Sequence, residues 1–149
     1  MSNQLYGVNP EAAVYRGNQY LIATRSEEEE HAGGTIGLTG GGIMPQDQLE
    51  GDVIKATLRR EVLEEINVTL GAMDYVRSWI FDYRGTPILG MAFLCEYASG
   101  EARAVDPAEV SAVAWMTAEE ILAHPKCPEW LPPTITACEV LRHQKIRDK

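Results

Sequence analysis

Basic residues are scarce in this chain. Across its 149 residues, 13 lysines and arginines stand against 22 aspartates and glutamates, a formal charge of −9. A nucleic-acid binder normally carries a basic stripe, and none is present, which argues against a nucleic-acid partner. Cysteine is scarce as well. Cys95, Cys127 and Cys138 are an odd number with no C-x-x-C spacing, so neither a disulfide framework nor a zinc site follows. Cys95 and Cys138 stand among apolar residues, where free cysteine acts as a small hydrophobe. The longest uncharged apolar run, near residues 85–95, is too short to span a bilayer. The first residues lack the basic-then-apolar order of a signal peptide. Together these absences predict a cytoplasmic protein with no membrane contact. Histidine is limited to His31, His124 and His143, all in loop or terminal-helix contexts, which disfavours Ser-His-Asp or Cys-His catalysis. The stretch Gly34–Gly40 is neither G-x-G-x-x-G nor a P-loop, because no Gly-Lys-Ser/Thr follows it.

What is present is ordinary for a globular chain: 45% hydrophobic and 23% charged residues, which argues against extensive disorder. The length predicts one domain over 1–149. Residues 1–10 are polar and read as a loose lead-in. Strand-like runs follow at 11–16 and 19–25, turning at Gly17-Asn18. The charge run Ser26–His31 reads as a solvated loop. Residues 73–83 and 87–97, rich in aromatic, β-branched and aliphatic side chains, flank Arg84-Gly85-Thr86 and predict a hairpin. Trp79, Phe81 and Tyr83 alternate and so share one strand face. A further strand is expected at about 110–116, a short helix at 117–123, then a proline-punctuated loop carrying Trp130. A final helix is expected from near Thr134, with Ile135, Cys138 and Leu141 on one side. Strands mixed with two or three helices, without a βαβ period, predict an α/β domain with helices on a central sheet.

The most informative stretch is Arg60-Glu61-Val62-Leu63-Glu64-Glu65-Ile66-Asn67-Val68. At ~100° per residue, Arg60, Glu61, Glu64 and Glu65 fall within roughly 140° of one another on a helix. Leu58, Val62, Leu63 and Ile66 occupy the opposite, core-facing stripe. Glu61 meets Glu64 at i+3 and Glu65 at i+4, and each like-charge pair costs about 0.2–0.5 kcal/mol in an isolated helix. A hard divalent cation such as Mg²⁺ removes that cost and shares its coordination with phosphate oxygens. Upstream, Gly40-Gly41-Gly42 offers bare backbone for close approach. Asp52 is a candidate N-cap, and Asn67 can adopt the left-handed conformation that stops a helix. The arrangement reads as a metal site.

That order of features resembles the Nudix box, G-x5-E-x7-R-E-U-x-E-E-x-G-U, where U is a bulky aliphatic. Arg60, Glu61, Val62, Glu64, Glu65 and Val68 fit it position by position. Asn67 replaces its late glycine. Asp52, separated from Arg60 by seven residues, stands in place of glutamate behind a loop about four residues longer than usual, and Glu50 is the other acid that could take that role. The resemblance covers roughly residues 10–123 and implies a Nudix-like α/β/α sandwich with a mixed central sheet. It implies hydrolysis of a diphosphate bond in a nucleoside diphosphate joined to another moiety, assisted by Mg²⁺ or Mn²⁺. By the same resemblance Glu64 and Glu65 are metal ligands and the Gly41 carbonyl adds an oxygen. Glu61 is a ligand or the base for water, and Arg60 orients Glu61. Gly42 belongs with the substrate. Glu109 is the candidate for an acid recruited from outside the box, with Glu101 second. Tyr83 lies near where dinucleoside polyphosphate hydrolases of that family carry a tyrosine. The implied partner is a small-molecule nucleotide, and a homodimer is compatible with the sequence. A second class of function, a catalytically silent nucleotide- or metabolite-binding domain, is motivated by the long loop and by Asn67.

Overall fold

The computed structural model describes residues 3–149, apart from the side chain of Glu50. Seven strands form one mixed sheet: β1 (Gly7–Arg16), β2 (Gln19–Arg25), β3 (Ile36–Gly37), β4 (Thr39–Gly40), β5 (Thr69–Tyr83), β6 (Thr86–Ser99) and β7 (Val110–Thr117). Helix α1 spans Val53–Ile66, α2 spans Ala118–Ala123 and α3 spans Leu131–Arg147. A 3-10 turn, Pro45–Glu50, precedes α1. The strand order is β3-β2-β1-β6-β5, with β4 paired to β1 and β7 to β2. The β1–β6 pair is parallel and joins two antiparallel parts.

Alternation along the central strands divides the core in two. Ala12, Val14, Leu21 and Cys95 face Leu58, Val62 and Ile66 of α1. Their sequence neighbours Ala13, Tyr20, Ile22 and Leu94 face Ile121 of α2 and Leu131, Ile135 and Cys138 of α3. This is the expected α/β/α sandwich. Burying each of Leu58, Val62 and Ile66 contributes about 1.5–3 kcal/mol. Leu63, at the margin of the predicted stripe, is instead 49% exposed. Cys95 and Cys138 are buried free thiols, as expected.

Three boundaries differ from expectation. Strand β1 begins at Gly7, because its parallel pairing with β6 runs from Gly7–Ile88 onward; residues 7–10 are therefore part of the sheet and not a lead-in. Strands β5 and β6 extend beyond the expected runs to Thr69 and Ser99, which pair at the far end of the ladder. Helix α3 begins at Leu131 and carries Pro132 and Pro133 in its first turn. Proline is tolerated there because those N–H groups have no helical partner. Among the described residues, no helix is long and apolar enough to cross a membrane.

Candidate active site

Helix α1 starts and stops where its sequence says. Asp52 is the N-cap, its side chain accepting from the Lys55 N–H at 3.1 Å. Asn67 ends the helix at φ 62°, ψ 37°, and its amide donates to the Glu101 carbonyl at 3.0 Å. Asn67 thus supplies the left-handed stop that glycine otherwise provides.

Within α1, Arg60 ties the predicted residues together. Its Nη1 donates to Glu61 Oε1 at 3.0 Å and to Glu64 Oε2 at 3.3 Å, and its Nη2 donates to the Gly42 carbonyl at 3.1 Å. Glu61 lies against the glycine loop so closely that a Cβ at Gly41 would sit 2.5 Å from Glu61 Cδ. A side chain at position 41 would displace the Glu61 carboxylate. Glu65 lies beside Glu61, and its pKa is pushed up from 4.5 to about 8 by burial, then by the charge of Glu61 and the side-chain interaction with it. Glu64 is 60% exposed. Glu109 is exposed in the turn immediately before β7. Burial comes first in raising its carboxyl, followed by the charges of Asp106, Glu29, Glu61 and Glu64, which marks it as a neighbour of the α1 face. Tyr83 stands apart, at the far mouth of a cleft of about 1020 Å³ that also takes in Glu65.

The acid of the long loop that meets Arg60 is Asp47. It receives Arg60 Nε at 2.9 Å and Nη2 at 3.1 Å, the Thr57 hydroxyl at 2.9 Å and the Met44 N–H at 2.8 Å. Arg60 heads the interactions that hold this buried carboxyl well below its ordinary 3.8. Asp52 serves only as a cap, and the side chain of Glu50 lies outside the described residues. A signal for Asp47 exists: five residues separate it from Gly41, the spacing between glycine and acid in the resembled box. The extra residues therefore fall after the acid and not before it.

Two further charged groups of the cleft carry no motif. Glu11 on β1 has its carboxyl pushed up to about 7 by burial, opposed by the charge of Arg25. Arg25, the only Arg or Lys among the described residues lining the cleft, is held by donation from Nε to the His31 carbonyl at 2.9 Å. The run 26–31 is exposed for the most part, as a solvated loop should be, yet Glu28, Glu29, Glu30 and His31 also border the cleft. His31 stacks on Trp130 with ring centroids 5.8 Å apart, and Glu30 pairs with Arg84 beside Tyr83.

The donor set fits a divalent cation. Among the described residues no three His, Cys, Asp or Glu side chains converge into a ready-made cage. Glu65 nevertheless lies partly buried beside Glu61, where burial and the neighbouring charge push its carboxyl up to about 8, and a bound cation would take the place of that proton. Carboxylate and carbonyl oxygens are the ligands that Mg²⁺ and Mn²⁺ take.

Known proteins share this architecture. Over 111 residues the chain is 32% identical to the NAD-capped RNA hydrolase NudC of Yersinia enterocolitica, covering 73% of this chain and 38% of that protein. Over 117 residues it is 28% identical to the Nudix hydrolase YfcD of Escherichia coli K12, covering 78% of this chain and 61% of that one. The chain thus spans less than two thirds of the length of these curated relatives, and well under half of NudC. The crystal structure of the MutT protein from Methanosarcina mazei superposes with a TM-score of 0.74 at 19% identity, over 95% of this chain and 99% of that one. The family model described as NUDIX domain matches residues 6–138, from the first strand into α3 and through the acidic face of α1. The chain belongs to the NUDIX domain family.

Proposed function

We propose that this protein is a divalent-metal-dependent hydrolase, a single Nudix-like domain that cleaves a diphosphate bond in a nucleoside diphosphate joined to another moiety. The observation that carries this reading is Glu61 set against Gly41, with Glu65 beside it, partly buried and with its carboxyl pushed up to about 8. Glu61, Glu64 and Glu65, with the Gly41 carbonyl, would hold Mg²⁺ or Mn²⁺. Such an ion, when bound, polarises phosphoryl oxygens and lowers the pKa of water. Arg60 fixes the rotamer of Glu61 through one N–H and is itself locked by the fork-to-carboxylate pair with Asp47. Asp47 and Arg60 act as positioning residues for the carboxylate face. Gly42 engages through its backbone. Arg25 supplies a cation on the cleft wall for a phosphate group, and Glu109 adds negative charge beside the α1 face. Tyr83 contributes to the distal mouth, where the second moiety would lie.

The substrate class follows from the cleft, whose acidic end adjoins a strip of aromatic rings. That layout suits a charged diphosphate flanked by planar or sugar groups; NAD-capped RNA, the substrate in the name of one relative, is one member of this class. A cytoplasmic location fits such a substrate. The silent-binder reading loses one of its two motives, since Asn67 adopts the left-handed conformation and its N–H closes the helix on the Leu63 carbonyl. Turnover of a panel of nucleotide sugars, ADP-ribose, dinucleoside polyphosphates and NAD-capped RNA, with product identification, tests the proposal. Cleavage at a diphosphate bond with Mg²⁺ or Mn²⁺, abolished by EDTA, is the expected result. Tight binding with no cleavage under any metal would overturn it.

A further inference from the structure

The cleft floor beyond the acidic end is built from one face of three adjacent strands. Asn9 and Glu11 lie two residues apart on β1, so their side chains share a face about 7 Å apart along the strand. Asn9 pairs with Gly90 of β6, which pairs in turn with Trp79 of β5. A Cβ at Gly90 would sit 2.5 Å from Trp79 Cε2, so the indole crosses β6 toward β1 over a residue that has no side chain. Arg77, donating to the Thr134 hydroxyl at 2.9 Å, packs its guanidinium 5.1 Å from the indole centroid and fixes the ring. Phe81 continues the aromatic strip on the same face. Glu11, Asn9, Trp79 and Phe81 all border the cleft. No donor among the described residues bonds to the Glu11 carboxylate, although it is partly buried. A carboxylate facing the cleft in this way can accept from a ligand that enters it.

The chemistry of the two β1 side chains is directional. An ionised carboxylate offers two acceptors and no donor, and an asparagine amide offers both. Guanine presents two neighbouring N–H donors, at N1 and the exocyclic amino group, followed by the O6 acceptor. Adenine presents its amino donor beside the N1 lone pair, which a carboxylate repels. Uracil has a single N–H between two carbonyls. We propose that Trp79, Glu11 and Asn9 form a base subsite that selects guanine. The ring packs on the aromatic strip, Glu11 accepts from N1–H and the amino group, and Asn9 donates to O6. This rests on the diphosphohydrolase reading for its biological meaning, because the guanine would be the base of the nucleoside diphosphate. The subsite itself is read without turnover.

Equilibrium binding of GMP, IMP and AMP to the full chain in EDTA at pH 8, above the value of about 7 to which burial pushes the Glu11 carboxyl, tests it. GMP should bind at least about tenfold tighter than AMP, the discrimination a bidentate base contact brings, with IMP between them because it lacks the amino group. Glu11→Gln should erase the GMP preference, whereas Trp79→Leu should weaken GMP and AMP by a similar factor. Should Glu11→Gln fail to fold, the GMP-to-IMP ratio on the unaltered protein still decides. Equal affinities for GMP and AMP, or a preference that survives Glu11→Gln, would overturn the subsite. Equal affinities alongside metal-dependent turnover would sink the subsite alone. A clear GMP preference in a protein that hydrolyses nothing would sink the hydrolase reading and leave the subsite standing.

Discussion

Asp47 accepts four hydrogen bonds from Arg60, Thr57 and Met44, and Arg60 in turn donates to Glu61. Asp47→Asn keeps the shape but removes the charge that holds the guanidinium. Turnover should fall by about 10–100-fold, the usual cost of losing a residue that orients a metal-site ligand. Steady-state kinetics at saturating metal measure it, and unchanged kcat would show that Arg60 is held without Asp47. This residue was not legible in the sequence as read, because the seven-residue count back from Arg60 leads to Asp52. The count forward from Gly41 leads to Asp47, and only the folded loop decides between them. Glu11 was invisible for another reason. An acid within an apolar strand has a face, but alternation cannot say whether that face meets a core or a cleft.

At the scale of the element, α1 was legible almost to its ends. Its period, its Asp52 cap and its Asn67 stop are local properties, written within fourteen residues and their flanks. The apolar stripe was legible too, with Leu63 as the exception at its margin. Leu58→Ala should therefore cost about 2–5 kcal/mol, the range for an emptied core position, while Leu63→Ala should cost under about 1 kcal/mol. Urea denaturation of both variants checks the contrast; equal costs would mean that the stripe is wrongly drawn. The β5–β6 hairpin was equally plain from its turn. The start of α3 was not, since Pro132 and Pro133 look like loop residues unless they fall in a first helical turn. Where β1 begins depends on β6, more than seventy residues away, and no local pattern reports that.

For the whole molecule, the two classes of carboxyl give stability a shape in pH. Glu65 is raised from 4.5 to about 8 and Glu11 from 4.5 to about 7. Each binds its proton more tightly folded than unfolded, so each lowers stability as pH rises through that window. Asp47 is shifted the other way, so its contribution is present above its ordinary 3.8 and is lost as pH falls below it. Metal-free protein should accordingly be most stable near pH 4–5 as far as these groups decide, and should weaken toward pH 8. Saturating Mg²⁺ should flatten the alkaline fall by replacing the shared proton. Thermal melts across pH 4–9 in EDTA and in Mg²⁺ follow this directly. Stability that climbs from pH 5 to pH 8 in EDTA would contradict the protonated, crowded state of Glu65.

The central claim is that Glu61 and Glu65 stand together on α1 to grip a divalent ion. Titration of the protein with Mn²⁺, followed by the loss of the free-ion electron paramagnetic resonance signal, addresses it without any assumption about substrate. The unaltered chain should bind Mn²⁺, and Glu61→Gln and Glu65→Gln should each weaken that binding by tenfold or more while the fold melts normally. Undiminished Mn²⁺ affinity in both variants would contradict it.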